Sequence, residues 1–399
     1  LPYGEVGTLD NMEAVASAFL AGITCLFIDG YAQCMIMDCR EYPSRGVQEP
    51  EKDKVLRGSR DGFVETLIFN TALIRRRIRD PRMTVEILQV GRRSRTDVAI
   101  CYMDGEADEA ILTHVKKRLA DLKVDALTMN QESMAECLYK GKWYNPFPKF
   151  KFSERPDTAA ACILQGSIII LVDNSPAAMI LPSSIFDVIE EADDYYFPPI
   201  TGTYLRLTRF ATSFVALFLT PVYLLMMAHP ESVPQWLQFS LVSDNISVPL
   251  LLQLLILEFA IDGLRLASIN TPTMLSTPLS VISAIVMGDY AVQSGWFNSE
   301  IMLYMAFVAM ANYSQASFEL GYALKFMRII LLFLTTFFDI WGFVIGVIFV
   351  GAVIACNRTV GGRSYLYPLI PFNRKELMKR LFRVRIAHSY RDGGEEKDS

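Results

Sequence analysis

Glu258, Asp262 and Arg265 stand in one apolar stretch at spacing i, i+4, i+7, which places all three on one face of a helix. Ionisable groups among apolar neighbours are costly unless they face protein or a water-filled cavity. Two roles are open to such a face: lining a pore, or bridging helices through salt bridges. Asp289, Glu319 and Asp339 are single acids in neighbouring apolar stretches, and Asn312-Tyr-Ser-Gln-Ala-Ser317 adds a polar stripe that includes Asn312 and Ser314. Arginine forms the second concentration of chemistry. Ten arginines and no lysine lie between Arg57 and Arg95. Arg75, Arg76, Arg77 and Arg79 fall in one helical segment, with Arg60 and Asp61 just ahead of it. A guanidinium makes planar, bidentate contacts, so this bias suits carboxylates of a neighbouring subunit or lipid phosphate. The plainer alternative is a solvated basic face.

Other chemistry is thinly represented. No G-x-S-x-G, H-E-x-x-H or Walker sequence occurs, and Gly105, Gly141 and Gly166 belong to no phosphate-cradling motif. Asp173 and Ser175 read as a polar turn between buried strands rather than as a catalytic pair. His114, His229 and His388 are too scattered for a metal site, and the seven cysteines form no C-x-x-C pair. Neither an enzyme nor a cofactor is expected. The net charge of −5 and the plentiful acids beside the arginines argue against a nucleic-acid partner.

The candidate face is positioned by residues 204–356, where only 13 of the chain's 81 Asp, Glu, Lys and Arg residues lie. Five apolar stretches follow one another there: Tyr204–Ala228, Ile246–Ser268, Leu279–Trp296, Ile301–Leu320 and Leu324–Cys356. They are apolar nearly all round, as a span facing lipid must be, and about 20 such residues cross the hydrocarbon layer. Arg206 and Arg209 precede the block, and ten Lys or Arg residues follow Cys356. Both flanks are therefore expected in the cytoplasm, which demands an even number of crossings. Five stretches do not satisfy that count. One stretch, with the second preferred, dips into the membrane, or the last, interrupted at Asp339-Ile-Trp-Gly342, crosses twice. Gly342 and Gly346 would let a helix approach closely, and Thr271-Pro-Thr-Met-Leu-Ser-Thr-Pro278 reads as a broken, polar segment.

Residues 1–203 alternate between strand and helix patterns. Met12–Leu20 is predicted helical, and Gly22–Phe27 and Tyr31–Asp38 are predicted strands joined at Asp29-Gly30. Further strands are predicted at Thr84–Val90, Asp97–Tyr102, Val124–Leu127, Ser167–Val172 and Met179–Leu181. Helices are predicted at Asn70–Arg79, Asp108–Asp121, Glu132–Tyr139 and Arg155–Gln165. The division expected is a remnant of a small α/β subdomain over 1–50 and an arginine-rich linking helix over 51–82. A second α/β subdomain over 83–200, a helical membrane domain over 201–358 and a basic tail over 359–399 complete it. The fold class expected is an α/β cytoplasmic domain followed by a multi-helix α transmembrane domain. The opening at Leu1 reads as a truncation rather than a signal peptide.

Arg57-Gly-Ser-Arg-Asp-Gly-Phe-Val-Glu-Thr-Leu67 and Asn70-Thr-Ala-Leu-Ile-Arg-Arg-Arg-Ile-Arg-Asp80 closely resemble the signature of the A subunits of spore germinant receptors. Val90-Gly-Arg-Arg-Ser-Arg-Thr96, Asn145-Pro-Phe-Pro148, Val172-Asp-Asn-Ser-Pro176 and Tyr365-Leu-Tyr-Pro-Leu-Ile-Pro-Phe372 extend the resemblance over almost the whole chain. It implies a protein of the spore inner membrane that assembles as a ring-shaped homo-oligomer, a pentamer, and passes monovalent cations at germination. Accessory or germinant-receptor membrane subunits are implied as partners. Asp289 is accompanied by Gln293 where the family tends to carry acids, so no selectivity role is transferred to that stretch. The chain is thus expected to be an oligomeric channel. The alternatives are a secondary transporter and a non-conducting scaffold for germination proteins.

Overall fold

The computed structural model describes residues 6–20, 22–37, 46–50, 53–139, 144–241, 248–270, 288 and 290–383. They fall into two compact units that divide at Gly46. In the first, β1 (Val6–Leu9), α1 (Met12–Leu20), β2 (Thr24–Leu26) and β3 (Cys34–Met37) build an antiparallel sheet of order β1-β3-β2. The predicted helix and both predicted strands are present. β1, four residues beside the chain start, was not anticipated.

The second unit opens with an α/β sandwich. Its sheet has the order β4-β5-β7-β8-β6, with every pairing antiparallel, from β4 (Met83–Val90), β5 (Thr96–Met103), β6 (Lys151–Ser153), β7 (Ile168–Val172) and β8 (Ala178–Leu181). Side chains of a strand alternate between faces. Val98, Ile100 and Tyr102 of β5 therefore join Ile111, Val115, Leu119, Met134 and Leu138 on one side. Ala99, Cys101 and Met103 join Leu67, Ile74, Ala159 and Ile163 on the other. The first layer comes from α3 (Glu109–Ala120) and α4 (Asn130–Leu138), the second from α2 (Leu67–Arg77) and α5 (Pro156–Leu164). Both faces of β7 are covered, which is why its sequence is an unbroken aliphatic run.

Two expectations need correction. The arginine-rich helix is not a linker: α2 buries Leu67, Asn70 and Ile74 and forms part of the sandwich. Val124–Leu127 is not a strand. Its carbonyls at Val124 and Asp125 accept hydrogen bonds from Arg92 and Arg93 in the β4–β5 turn, at 3.0 and 2.7 Å, and no ladder continues from there.

Lys149, after the Asn145-Pro-Phe-Pro148 turn, lies over the rings of Tyr139 and Tyr365, at 5.0 and 5.6 Å from their centroids. Its Nζ is buried with no hydrogen-bond partner among the described residues, and burial pushes its pKa down to about 8. The ordinary lysine value is about 10.4, so the fold favours the neutral amine. Its contribution to stability is full above about pH 10.4 and falls away as pH drops through that window toward 8. Lys149→Met is expected to raise stability near neutral pH by about 1 kcal/mol, a value discounted for the group's partial exposure. The gain should vanish in alkali, which denaturation midpoints at the two pH values will show.

A helical block follows. α6 (Ile185–Ile189) starts with a Ser184–Asp187 capping box, and α7 (Asp193–Tyr196) leads into α8 (Pro199–Ala228), which has proline at its first turn. α9 (Leu250–Asn270), α10 (Ser299–Tyr313) and α11 (Phe318–Ala355) complete the block, and α12 (Arg374–Leu381) ends the described chain. Two of these, α8 and α11, are long and apolar enough to cross a membrane. The fourth predicted stretch is divided: α10 stops at Tyr313, and Ser317 caps the start of α11 by accepting a hydrogen bond from the Leu320 amide. The third stretch largely lies outside the described residues, as do Thr271–Pro278 and the tail beyond Arg383.

α11 is two helices. Asp339 has φ 55° and ψ −134°, and the chain reverses there. A Cβ on Gly342 would sit 1.9 Å from the Leu334 carbonyl oxygen, and one on Gly346 would sit 2.5 Å from a Leu331 methyl. In a continuous helix Leu331 and Gly346 would be about 22 Å apart. The close approach expected for these glycines therefore occurs, between the two arms of one hairpin. His229, just past α8, meets Asp339 at 2.7 Å and ties the end of α8 to the hairpin tip. α9 and α10 run parallel: Gln253 bonds to Asn298 at 2.9 Å beside the start of α10, while Arg265 lies over Tyr313 at its end. Asn270 and Asn298 thus lie toward opposite ends of the block.

Candidate functional site

Charge inside the block is gathered where α8, α9 and α11 meet. Glu258 of α9 accepts a hydrogen bond from Arg328 Nε of α11 at 2.7 Å and also bonds Arg328 Nη2. Arg328 donates its other Nη to the Ala216 carbonyl of α8, so one guanidinium joins three helices. Lys325, one turn away, pairs with Asp262 and lies 3.3 Å from Glu258. Glu258, Lys325 and Arg328 are 4, 5 and 0% exposed, whereas Phe214, Trp341 and Ile348 on the outside of the block are 64, 75 and 66% exposed. Charges point in and large apolar side chains point out. The sequence placed Glu258, Asp262 and Arg265 on one face, and the structure brings two of them together with Lys325 and Arg328. Arg265 stands apart, among the rings of Tyr313, Phe318 and Tyr322 at 4.9–5.3 Å.

The other candidates are spread out. Asn312 keeps its Oδ1 buried, with no hydrogen-bond partner among the described residues. Ser314 donates to the Ala311 carbonyl at 3.0 Å, closing the end of α10. Glu319 lies in the first turn of α11 and borders a cavity of about 430 Å³ between the block and the sandwich. Asp53, Lys151, Glu190, Glu191 and Gln315 line the same cavity. Asp289 lies outside the described residues.

On the sandwich, Asp61 pairs with Arg76 at 3.0 Å and Arg77 at 2.5 Å of its own chain. Burial raises its carboxyl, but bonds from Arg77 and Ser59 outweigh that and hold it below the usual range. Arg75 donates to the Asp80 and Met83 carbonyls at 3.2 and 2.6 Å. Arg60 and Arg79 are exposed.

A third cluster escaped the sequence analysis. Arg206 bonds Glu190 at 2.6 Å and Asp194 at 3.4 Å, and Arg209 bonds Asp194 at 2.5 Å and Glu191 at 2.7 Å. Arg380 of α12 completes it with Asp187 at 2.5 Å and Glu190 at 3.0 Å. Burial works against the Glu190 carboxylate, yet the guanidinium of Arg206 and its neighbours hold it below its ordinary range. The signal was present in Glu190-Glu-Ala-Asp-Asp194, a run of acids one linker ahead of two arginines. Among the described residues no group of three metal-ligating side chains occurs. Chemically, these clusters hold helices in register and fix the block to the sandwich.

The model of the Bacillus/Clostridium GerA spore germination protein family matches residues 1–392. The chain belongs to the GerA spore germination family. This GerA-family chain is 37% identical over 380 residues to stage V sporulation protein AF of Bacillus subtilis (strain 168), covering 95% of the chain and 77% of that protein. It is 29% identical to spore germination protein KA of the same organism, over 96% of the chain and 71% of that protein. The crystal structure of the N-terminal domain of the A subunit of the Bacillus megaterium spore germinant receptor GerK3 aligns with 45% of the chain and 63% of its own. That alignment has 28% identity and a TM-score of 0.26. The resemblance read from the arginine-rich signature is thus borne out at the level of the family, and a role in spore germination follows from it.

Proposed function

We propose that the chain is a multi-pass protein of the spore inner membrane, and that several copies enclose a path for monovalent cations. The observation that supports the membrane reading is the inverted block, with Arg328 wholly buried while Phe214, Trp341 and Ile348 are mostly exposed. Water would select the opposite arrangement, and lipid selects this one. α8, α9, α10 and the two arms of α11 are five candidate crossings. α9 and α10 run parallel, so Asn270 and Ser299 lie toward opposite ends of the block. An even number of crossings would put both flanks on the cytoplasmic side, as their basic residues demand.

Conduction is supported by the ionisable face of α9 and the polar oxygens near it. Asp262, whose side chain is 32% exposed, is the member best placed to meet water, with Glu258, Arg265, Asp289, Asn312, Ser314 and Glu319 as further lining candidates. A second copy would take up Arg60, Asp61 and the row Arg75, Arg76, Arg77 and Arg79 at a subunit boundary. Germinant-receptor subunits would be its membrane partners. In proteoliposomes the chain is expected to release potassium passively, and Asp262→Asn to cut the flux about tenfold with particle size unchanged. Flux no greater than in empty vesicles would contradict conduction. The mutual neutralisation of Glu258, Asp262, Lys325 and Arg328 within one chain favours a second reading, a non-conducting scaffold. That reading predicts co-purification of other germination proteins without flux.

A further inference from the structure

α12 is held at the level where α8 enters the block. Arg206 Nη1 donates to the Lys379 and Arg380 carbonyls, both at 3.0 Å, closing the last turn of α12, and the Arg383 amide donates to Thr203 Oγ1 at 3.1 Å. The part of α8 free of charged residues begins at Phe210. Thr203 and Arg206 therefore sit about 10 and 6 Å before it along the axis. The polar layer on each side of the hydrocarbon is about 5–8 Å thick, so Arg206 stands at the height of the lipid headgroups and Thr203 just outside them.

The surface of α12 and of the segment before it matches that layer. Leu369, Ile370, Phe372, Met378 and Phe382 are all more than 40% exposed, although they are large and apolar. Arg374, Lys375 and Lys379 stand exposed among them, and the single acid, Glu376, is engaged by Lys379 at 3.3 Å. Apolar anchors with a basic fringe are the composition of a helix that lies in the membrane interface and attracts anionic lipid. A solvated tail would have no use for the exposed phenylalanines, and a nucleic-acid contact would not need them at this height. We propose that residues 369–383 form an interfacial anchor, with the apolar side chains set among lipid tails and Arg374, Lys375 and Lys379 on the headgroup phosphates of anionic lipids. Through Arg380 and Arg206 the anchor also grips the Glu190–Asp194 cluster, so lipid charge is transmitted to the joint between sandwich and block.

The proposal rests on the membrane reading above, and the test separates the two. Amide exchange of the full chain is followed by mass spectrometry in nanodiscs of phosphatidylcholine alone and of phosphatidylcholine mixed with phosphatidylglycerol. Residues 369–383 are expected to exchange about a hundredfold more slowly with phosphatidylglycerol, from three cations each worth about fivefold, and molar salt should erase the difference. Arg374→Glu/Lys375→Glu/Lys379→Glu should abolish the lipid dependence while α8 and α11 stay protected in both discs. Equal rates in the two lipids overturn the anchor, as does a lipid dependence that survives the triple variant. Protection gained only when an acidic partner protein is added overturns it in favour of a protein-docking surface. Exposure of α8 and α11 in both discs would instead defeat the membrane reading.

Discussion

Arg328→Met is expected to cost the fold about 3–5 kcal/mol. Arg328 is fully buried and satisfies Glu258 while donating to the Ala216 carbonyl. Its removal leaves a carboxylate that is 4% exposed with Lys325 as its remaining cation, and Lys325 is already engaged by Asp262. An uncompensated buried charge costs far more than a matched pair contributes, so Glu258→Gln should be damaging as well. The paired variant Glu258→Gln/Arg328→Met should recover most of the loss, because Lys325 and Asp262 still neutralise each other. Thermal midpoints of the four proteins in one detergent give the coupling directly. Additive losses would mean that the two side chains do not act as a pair.

Gly342→Val is expected to open the α11 hairpin. Even the first carbon of a side chain at Gly342 would fall 1.9 Å from the Leu334 carbonyl oxygen, which belongs to backbone and cannot swing aside. Overpacking of this kind costs about 3 kcal/mol, and here the relief available is separation of the two arms. His229 would then lose its contact with Asp339, and Val350 would leave the cluster that it shares with Leu331. Gly351 has open space around its Cβ direction, so Gly351→Ala serves as the control that should leave the midpoint nearly unchanged. A cysteine pair placed at Leu331 and Gly346 should cross-link in the parent chain and fail to do so in Gly342→Val.

The sandwich was largely legible because its signals are local. Alternation and aliphatic runs marked β4, β5, β7 and β8, and the helical spacing of Ile111, Val115 and Leu119 marked α3. β6 was missed because three residues at a sheet edge carry no period to detect. Val124–Leu127 has strand composition, but its partners are turn amides, and composition does not choose partners. The block was legible as apolar and opaque as topology. The reversal at Asp339 falls at the interruption visible in the sequence, but a single acid there does not decide between a double crossing of the last stretch and a dip of the second. Lys325 and Arg328 were visible as charges, yet their pairing with Asp262 and Glu258 spans 63 and 70 residues, a separation that no helical spacing predicts.

Spin labels at Phe214→Cys and Ile348→Cys test whether apolar side chains of the block face lipid while its charges close on one another. The labels are placed in a cysteine-replaced chain in vesicles and read by collision with oxygen and with a water-soluble nickel chelate. High oxygen and low nickel accessibility are expected at both positions, unchanged by the paired variant Glu258→Gln/Arg328→Met. Labels at both positions open to the nickel chelate would place these faces in water and contradict that arrangement.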